Sequence, residues 1–293
     1  MKFGIYYAFW EKQWGADYEG YIKKAANLGF DILEISCASL DEVSSDDVKA
    51  LYEAKEKYKI SLTAGYGPKP TQNIASEDSK VVNNTLHFWE KVFKVLKALD
   101  IDTVGGGLYY YWPVDYTKQI NKPSDWERSV KGVSKLADLA ADYNINICME
   151  SLNRHEGFLI NTALECVSFV KQVGKKNVKA MLDTYHMNME EDDMREAILQ
   201  TKGYLGHFHV GENNRRLPGQ GKIINWLEIA KALKDIDYSG AVVMEPFVLT
   251  GGKVGNDIKI WRDMSDNATG EMLEIQAAES VSFLKEIFKK SMK

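Results

Sequence analysis

The stretch "GAVVMEPF" (residues 240–247) joins an apolar run to a carboxylate, Glu245. What this carboxylate faces in the folded chain is the first question that the sequence raises. Ala241 to Met244 are typical of a fully buried strand, yet Glu245 follows at once and precedes Pro246. An isolated charge is costly to bury, so this carboxylate must be paired, protonated or bound to a cation. The residues that end the other strands indicate which of these applies.

Short β-prone runs alternate with amphipathic helical stretches along the chain, at a period of roughly 25–43 residues. Several helical stretches begin after Ser or Asp and stop near Gly or Asn, as capped helices do. The strand candidates are "FGIYYAF" (3–9), "DILEIS" (31–36), "SLTAGY" (61–66), "TVGGGLY" (103–109), "NICMES" (146–151), "KAMLDTY" (179–185), "LGHFHVGE" (205–212) and "AVVMEPF" (241–247). Eight βα repeats predict an α/β fold, a closed (β/α)8 TIM barrel. An open doubly wound sheet is the main competitor, because spacing alone does not prove closure.

The whole chain, residues 1–293, is predicted to form a single barrel domain, since no linker, repeat or low-complexity tract divides it. The longest candidate loops follow strand four (about 108–124) and strand eight (248–270). In TIM barrels the loops after the strands form the active-site face. Both segments are rich in aromatic and polar groups, so we expect them to border the site.

Composition excludes several classes of function. A net charge of −5 without a basic block argues against nucleic-acid binding. No segment approaches the roughly 20 apolar residues of a membrane span, and "MKFGIYYAFW" (1–10) lacks the apolar run of a signal peptide. The three cysteines lack CxxC spacing, and Cys37 and Cys148 lie in strand-like runs, which indicates reduced thiols. We therefore expect a cytoplasmic enzyme without a membrane or nucleic-acid partner.

Strands five to eight each end in a residue that can bind a hard metal ion: Glu150, Asp183, His209 and Glu245. These strands lie side by side in a barrel, about 4.8 Å apart, so the four side chains are expected to converge. A single carboxylate at a strand end is usually a loop hydrogen-bond acceptor, but four ligand-type residues at four successive strand ends are much less common by accident. Three carboxylates and one imidazole suit Mn²⁺, Co²⁺ or Mg²⁺ better than a thiolate-type zinc site. Glu245 is therefore predicted to face a divalent cation.

Three neighbouring residues have less certain roles. His207 shares a strand face with His209, and it is expected either to support the ligands or to pack in the core. His186 follows Asp183 closely, which favours a contact with substrate over a place at the start of a helix. Trp112, just before a proline at the predicted barrel mouth, is expected either in the core or in the wall of a pocket.

Five stretches together resemble the ketose 3-epimerase family, which comprises the D-psicose (D-allulose) and D-tagatose 3-epimerases among the xylose isomerase-like barrels. They are "MESLNRHE" (149–156), "LDTYHMNMEE" (182–191), "GHFHVGENNRRLPGQG" (206–221), "VVMEPF" (242–247) and "IWRDMS" (260–265). The likeness extends nearly from end to end. The combination is specific, whereas no single stretch would be.

The resemblance implies a (β/α)8 barrel that acts on a small-molecule ketose with one divalent metal ion, Mn²⁺ or Co²⁺. The implied metal ligands are Glu150, Asp183, His209 and Glu245. The implied substrate contacts are Glu156, His186 and Arg215, with Tyr6, Trp112 and Phe247 lining the pocket and Glu34 near its floor. Members of the family form homodimers or homotetramers, so self-association is also implied.

The expected reaction inverts C3 of a ketohexose by proton abstraction and return, with Glu150 and Glu245 as the catalytic acid/base pair. The nearest alternative is an aldose–ketose or hydroxypyruvate isomerase of the same superfamily, which moves a proton between C1 and C2. A zinc apurinic endonuclease shares the barrel but needs several more histidines than the five present. A catalytically silent sugar-binding barrel would exchange no C3 proton with solvent.

Overall fold

The computed structural model describes residues 1–291, so residues 292 and 293 of the predicted domain lie outside the described part. All eight predicted strands are present, and most of them end earlier than expected. The strands are β1 (Lys2–Tyr6), β2 (Ile32–Ser36), β3 (Ser61–Gly65), β4 (Thr103–Gly106), β5 (Asn146–Glu150), β6 (Val178–Asp183), β7 (Leu205–Val210) and β8 (Ala241–Met244).

The strands form a closed barrel in which every pair of neighbours is parallel and the order around the barrel is the order along the chain. Closure is made by β1 and β8, where Gly4 lies opposite Val243 and Ile5 lies opposite Met244. The prediction of a TIM barrel is therefore confirmed, and the open doubly wound sheet is excluded.

The shorter strands have local causes. The predicted strand 3–9 ends at Tyr6 because the chain turns into a 3₁₀ helix at Tyr7–Trp10. The predicted strand 103–109 ends at Gly106, where φ is +122° and a Cβ atom would collide with the carbonyl oxygen of Tyr66. Only glycine tolerates that conformation, so the strand stops where the chain must bend.

Ten α-helices are described in residues 1–291. They are α1 (Tyr18–Asn27), α2 (Ser45–Tyr58), α3 (Ser79–Ala98), α4 (Lys122–Ala141), α5 (Ala163–Val173), α6 (Thr184–Glu190), α7 (Met194–Gln200), α8 (Trp226–Asp235), α9 (Gly252–Asp257) and α10 (Gly270–Lys290). Several begin after Asp or Ser, as the sequence indicated: Asp17 and Ser44, for example, accept backbone N–H groups of α1 and α2. The short helices α6 and α9 lie in the loops after β6 and β8, at the active-site end of the barrel.

In the register of the last four strands, each polar end lies within two residues of the polar end of the neighbouring strand. Asp183 lies opposite His209, and Glu150 pairs with Met181 one strand away. Glu245 follows the last paired residue of β8, Met244, which lies opposite Val210. The four predicted ligands therefore meet at the carboxyl end of the barrel, as the strand order required.

Within residues 1–291, no helix combines the length and apolar character needed to cross a membrane.

Candidate active site and metal centre

The four residues predicted as metal ligands form one cluster. Glu150, Asp183, His209 and Glu245 each present one ligand-type atom, and these atoms all lie within 4.8 Å of one another. The first three side chains are buried, and Glu245 is 17% exposed. Neighbouring strands supply all four, so the cluster follows directly from the closed barrel.

Two buried atoms of this cluster have no hydrogen-bond partner. They are Oε1 of Glu150 and Nδ1 of His209, which lies 3.7 Å from Oε1 of Glu245. Buried polar atoms are nearly always paired, so two orphaned atoms at one point require an explanation. A divalent cation provides one, because carboxylate oxygen and imidazole nitrogen are both suitable ligands for Mn²⁺ and Co²⁺. The residues present therefore fit such an ion.

Glu34 lies behind this cluster and is not among the residues that line the cavity. Its carboxylate is fully buried and contacts Nε2 of His209 at 2.6 Å and Nε2 of His207 at 2.7 Å. The hydroxyl of Thr63 donates a third hydrogen bond to it, at 2.8 Å. His207, expected either as a support or as a core residue, is fully buried and bound to Glu34.

Arg215 connects the acidic groups of the site. Its Nη2 lies 2.9 Å from Oε1 of Glu156, and its Nη1 lies 3.0 Å from Oε2 of Glu245 and 3.4 Å from Oδ2 of Asp183. The guanidinium carbon also lies 3.6 Å from the centre of the Tyr185 ring, within the range of a cation–π contact. The backbone of Arg215 has a φ of +67°, which is uncommon for a residue with a side chain.

His186 lies in the first turns of α6 and reaches the cavity. The backbone N–H of Asn153 donates to its Nδ1 at 3.1 Å, so the ring proton of the neutral form is on Nε2. Nε2 lies 3.9 Å from Oε1 of Glu150. Burial lowers the pKa of His186, which favours the neutral imidazole. His186 therefore presents a neutral N–H group beside Glu150.

The two carboxylates of the expected acid/base pair have opposite pKa shifts. Burial raises the pKa of Glu150 well above its usual value, and the charge of Glu245 acts in the same direction. Burial also acts to raise the pKa of Glu245, but the positive charges of His209 and Arg215 outweigh it and lower that pKa. Two carboxyl groups with divergent pKa values are typical of acid/base sites.

A cavity of about 990 Å³ opens at this end of the barrel. Its lining includes six of the seven residues that were expected to contact or surround a substrate, and Glu34 is the exception. The six are Tyr6, Trp112, Glu156, His186, Arg215 and Phe247. The expectation that the loops 108–124 and 248–270 border the site also agrees with this position, since they supply Trp112 and Lys253 to the cavity lining.

Sequence reasoning missed Trp14, which lines the cavity and contacts both of these loops. Its ring lies edge-on to Trp112 with 6.2 Å between centres, and its Nε1–H donates to Oδ2 of Asp257 at 2.6 Å. Lys253 holds the same oxygen of Asp257 at 2.7 Å. The loop after β1 is thereby tied to α9, and the tie closes one side of the cavity.

Sequence reasoning also missed Glu212, which is fully buried at the start of the loop that carries Arg215. Its Oε1 accepts hydrogen bonds from the backbone N–H of Gly219 at 2.8 Å and from Nε1 of Trp226 at 2.9 Å. A Cβ atom on Gly221 would collide with its Oε2. Glu212 thus holds a compact loop, and the motif "GENNRRLPGQG" (211–221) was the signal that could have identified it.

A closed parallel barrel with a polar cluster at the carboxyl ends of its strands is typical of TIM-barrel enzymes. Comparisons with known proteins identify the same class. Residues 22–269 match the family described as "Xylose isomerase-like TIM barrel". The D-psicose 3-epimerase of Ruminiclostridium cellulolyticum is 50% identical to this chain over 97% of the chain and 96% of the relative. The D-psicose 3-epimerase of Agrobacterium fabrum is 48% identical over 97% and 98%.

Solved structures agree with these relatives. The crystal structure of D-psicose 3-epimerase with D-tagatose from Clostridium cellulolyticum superposes on this chain with a TM-score of 0.97, at 50% identity over 98% of this chain and 99% of that one. The chain therefore belongs to the ketose 3-epimerase family of xylose isomerase-like TIM barrels. It is an isomerase that acts on carbohydrates.

Proposed function

We propose that this enzyme inverts C3 of free ketohexoses, interconverting D-fructose and D-psicose and also acting on the D-tagatose/D-sorbose pair. The observation that carries the proposal is the pairing of Glu150 and Glu245 at one end of the cavity. Their carboxylates flank the other two ligand residues in the strand order and have opposite pKa shifts. The names of the similar enzymes support the same reaction.

The chemistry needs a base, an acid and a stabilised intermediate. One carboxylate removes the proton from C3, which is acidic because C2 beside it carries a carbonyl group, and a planar cis-enediolate results. The other carboxylate returns a proton to C3 from the opposite face, which inverts that carbon. The roles of Glu150 and Glu245 exchange when the reaction runs in the other direction. No redox cofactor or covalent nucleophile is required.

Glu150, Asp183, His209 and Glu245 would hold one divalent ion, Mn²⁺ or Co²⁺. When bound, such an ion supplies Lewis-acid chemistry, which polarises substrate oxygens and makes the neighbouring C–H group more acidic. Equilibrium dialysis of metal-free protein with each ion alone, followed by activity measurement, ranks the two ions.

The remaining polar groups bind and stabilise the substrate in this proposal. The Nε2–H of His186 and the guanidinium of Arg215 donate hydrogen bonds to the oxygen on C2 as negative charge develops there. Glu156 accepts hydrogen bonds from Arg215 at 2.9 Å and from Asn153 at 3.3 Å, which orients Arg215. Tyr6, Trp112 and Phe247 form the apolar wall against which the rest of the sugar packs.

NMR of ketoses incubated in D₂O tests the reaction directly. D-Fructose, D-psicose and D-tagatose are each mixed with Mn²⁺-loaded enzyme, and EDTA-treated enzyme is the control. We expect deuterium at C3 and the appearance of the C3 epimer only when metal is present. Deuterium at C1 with an aldose product would assign the enzyme as an aldose–ketose isomerase. An absence of exchange at any carbon would favour the silent sugar-binding protein.

We also propose that the enzyme is a homodimer or a homotetramer, as the family resemblance implies, and that it is cytoplasmic. Light scattering coupled to size-exclusion chromatography gives the molar mass in solution. A mass equal to that of one chain, 33.2 kDa, would contradict self-association.

A further inference from the structure

The interior of the barrel contains a hydrogen-bonded link that crosses between strands that are not neighbours. Glu34 lies on β2, whereas His207 and His209 lie on β7, and β1 and β8 separate these two strands. Oε1 of Glu34 lies 2.6 Å from Nε2 of His209, and Oε2 lies 2.7 Å from Nε2 of His207. All three side chains are almost completely buried. The link lies directly behind the proposed metal ligands.

The carboxylate determines which nitrogen of each ring carries a proton. An ionised carboxylate only accepts hydrogen bonds, so His207 and His209 must each donate through Nε2–H. Thr63 donates to Oε2 through its hydroxyl, so Glu34 accepts three hydrogen bonds. In the neutral form of His209 the lone pair is then on Nδ1. That atom is the buried one without a partner, 3.7 Å from Oε1 of Glu245.

We propose that Glu34 is a positioning residue, which holds the ring of His209 in the Nε2–H form and thereby makes Nδ1 a metal ligand. The inference rests on the metal site of the proposed function and replaces the expected role of Glu34 as a residue near the pocket floor. A carboxylate behind a metal-binding histidine fixes the ring orientation and makes the ligand nitrogen more basic. Here one carboxylate orients the only imidazole of the ligand set from across the barrel.

Two other roles for Glu34 make different predictions. A substrate contact would change the KM for ketose and leave metal affinity unchanged. A purely structural role would lower the stability of the metal-free protein and leave metal affinity unchanged. Affinity for the metal therefore separates the positioning role from both alternatives, and its measurement does not require turnover.

The test compares Glu34→Gln with the wild-type enzyme. The two rings contact different oxygens of Glu34, and an amide replaces one of these oxygens with an NH₂ group and removes the negative charge. We expect the affinity for Mn²⁺ to fall by roughly 10- to 100-fold. Free Mn²⁺ is measured by electron paramagnetic resonance during a titration with Mn²⁺ alone. The visible absorption spectrum of the Co²⁺-loaded variant should also differ from that of wild type, because the orientation of one ligand changes.

Thr63→Val is the matched control. Valine has nearly the same shape as threonine, and the substitution removes one hydrogen bond to Glu34 but neither contact with a histidine. We expect Mn²⁺ affinity within about threefold of wild type, because Glu34 keeps its charge and both of its contacts with the histidines. If Glu34→Gln does not fold, Glu34→Asp retains the charge on a shorter side chain that cannot reach both rings. The same loss of affinity is then expected.

Mn²⁺ affinity within twofold of wild type in a folded Glu34 variant would overturn the proposal, as would an unchanged Co²⁺ spectrum. The outcome is independent of the epimerase assignment. If wild type bound Mn²⁺ but exchanged no C3 proton, the proposed reaction would fail, and the loss of Mn²⁺ affinity in Glu34→Gln would still establish the role of Glu34. If wild type bound neither Mn²⁺ nor Co²⁺, both would fail.

Discussion

Nη1 of Arg215 donates a 3.0 Å hydrogen bond to Oε2 of Glu245, so a guanidinium directly contacts one member of the proposed acid/base pair. The second terminal nitrogen, Nη2, holds Glu156. Two separate carboxylates thus share one planar group, which an ammonium group cannot reproduce. The positive charge of His209, with a smaller contribution from Arg215, lowers the pKa of Glu245 despite its burial.

Arg215→Lys is therefore expected to lower kcat/KM by roughly 10²- to 10³-fold, because both the anchoring of Glu156 and the donor for the enediolate oxygen are lost. Arg216→Lys is the matched control, since that side chain points to Asp266 and to the carbonyl of Met264 instead. Steady-state kinetics with Mn²⁺-loaded enzymes provides the comparison. Equal losses in the two variants would contradict a specific role for Arg215.

Glu150→Gln and Glu245→Gln are each expected to reduce turnover by roughly 10²- to 10⁴-fold, because an amide can neither remove nor return the C3 proton. Each residue is also a proposed metal ligand, so turnover is measured at saturating Mn²⁺, with occupancy determined separately. Glu190→Gln is the control, because that carboxylate pairs with Arg154 outside the cavity. Near-normal turnover in both cavity variants would exclude the proposed acid/base pair.

Metal binding is expected to release protons. Burial and the charge of Glu245 raise the pKa of Glu150 in the metal-free enzyme. Burial lowers the pKa of His209, but the charges of Glu34 and Glu245 outweigh it and raise that pKa well above its usual value. Both shifts favour the protonated forms of these groups, and each group must be deprotonated to bind an ion.

Affinity for Mn²⁺ should therefore weaken as pH falls, by about tenfold per pH unit for each proton released. Isothermal titration calorimetry in Pipes and in Tris at one pH measures the release, because the two buffers absorb protons with different enthalpies. Identical heats in both buffers would show that no proton leaves.

The barrel and four of the site residues could be predicted because they depend on local patterns. In a closed parallel barrel the strand order equals the chain order, so strand ends that are consecutive in sequence are adjacent in space. Glu150, Asp183, His209 and Glu245 were located by that rule alone. The position of Glu34 behind His209 could not be, because their contact spans 175 positions and joins strands that are not neighbours.

Contacts between loops could not be predicted from the sequence either. Trp14 and Asp257 are 243 positions apart, and neither lies in a segment with a periodic pattern. Glu212 and Gly219 are close along the chain, but their hydrogen bond depends on the path of an irregular loop. Periodicity reports which residues share a strand or helix face, whereas it contains no information about where two loops meet.

Trp14→Phe retains an aromatic wall but removes the N–H group that ties the loop after β1 to Asp257. We expect KM for the ketose to rise by roughly two- to tenfold with little change in kcat, because one hydrogen bond that orders the cavity is lost. Trp261→Phe is the control, since that side chain is 72% exposed. A fall in kcat with unchanged KM would instead place Trp14 in the chemical step.

The loop that carries Arg215 provides a test of the missed residue Glu212. Gly221→Ala adds a Cβ atom that meets Oε2 of Glu212, and either the loop or the carboxylate must then move. We expect the free energy of unfolding to fall by about 1–3 kcal/mol, together with a lower kcat/KM as Arg215 shifts. Gly270→Ala is the matched control, because a Cβ atom there meets no atom within 4 Å. Urea denaturation and steady-state kinetics measure both effects. If Gly221→Ala lost stability without losing kcat/KM, the loop would support the fold but would not position Arg215.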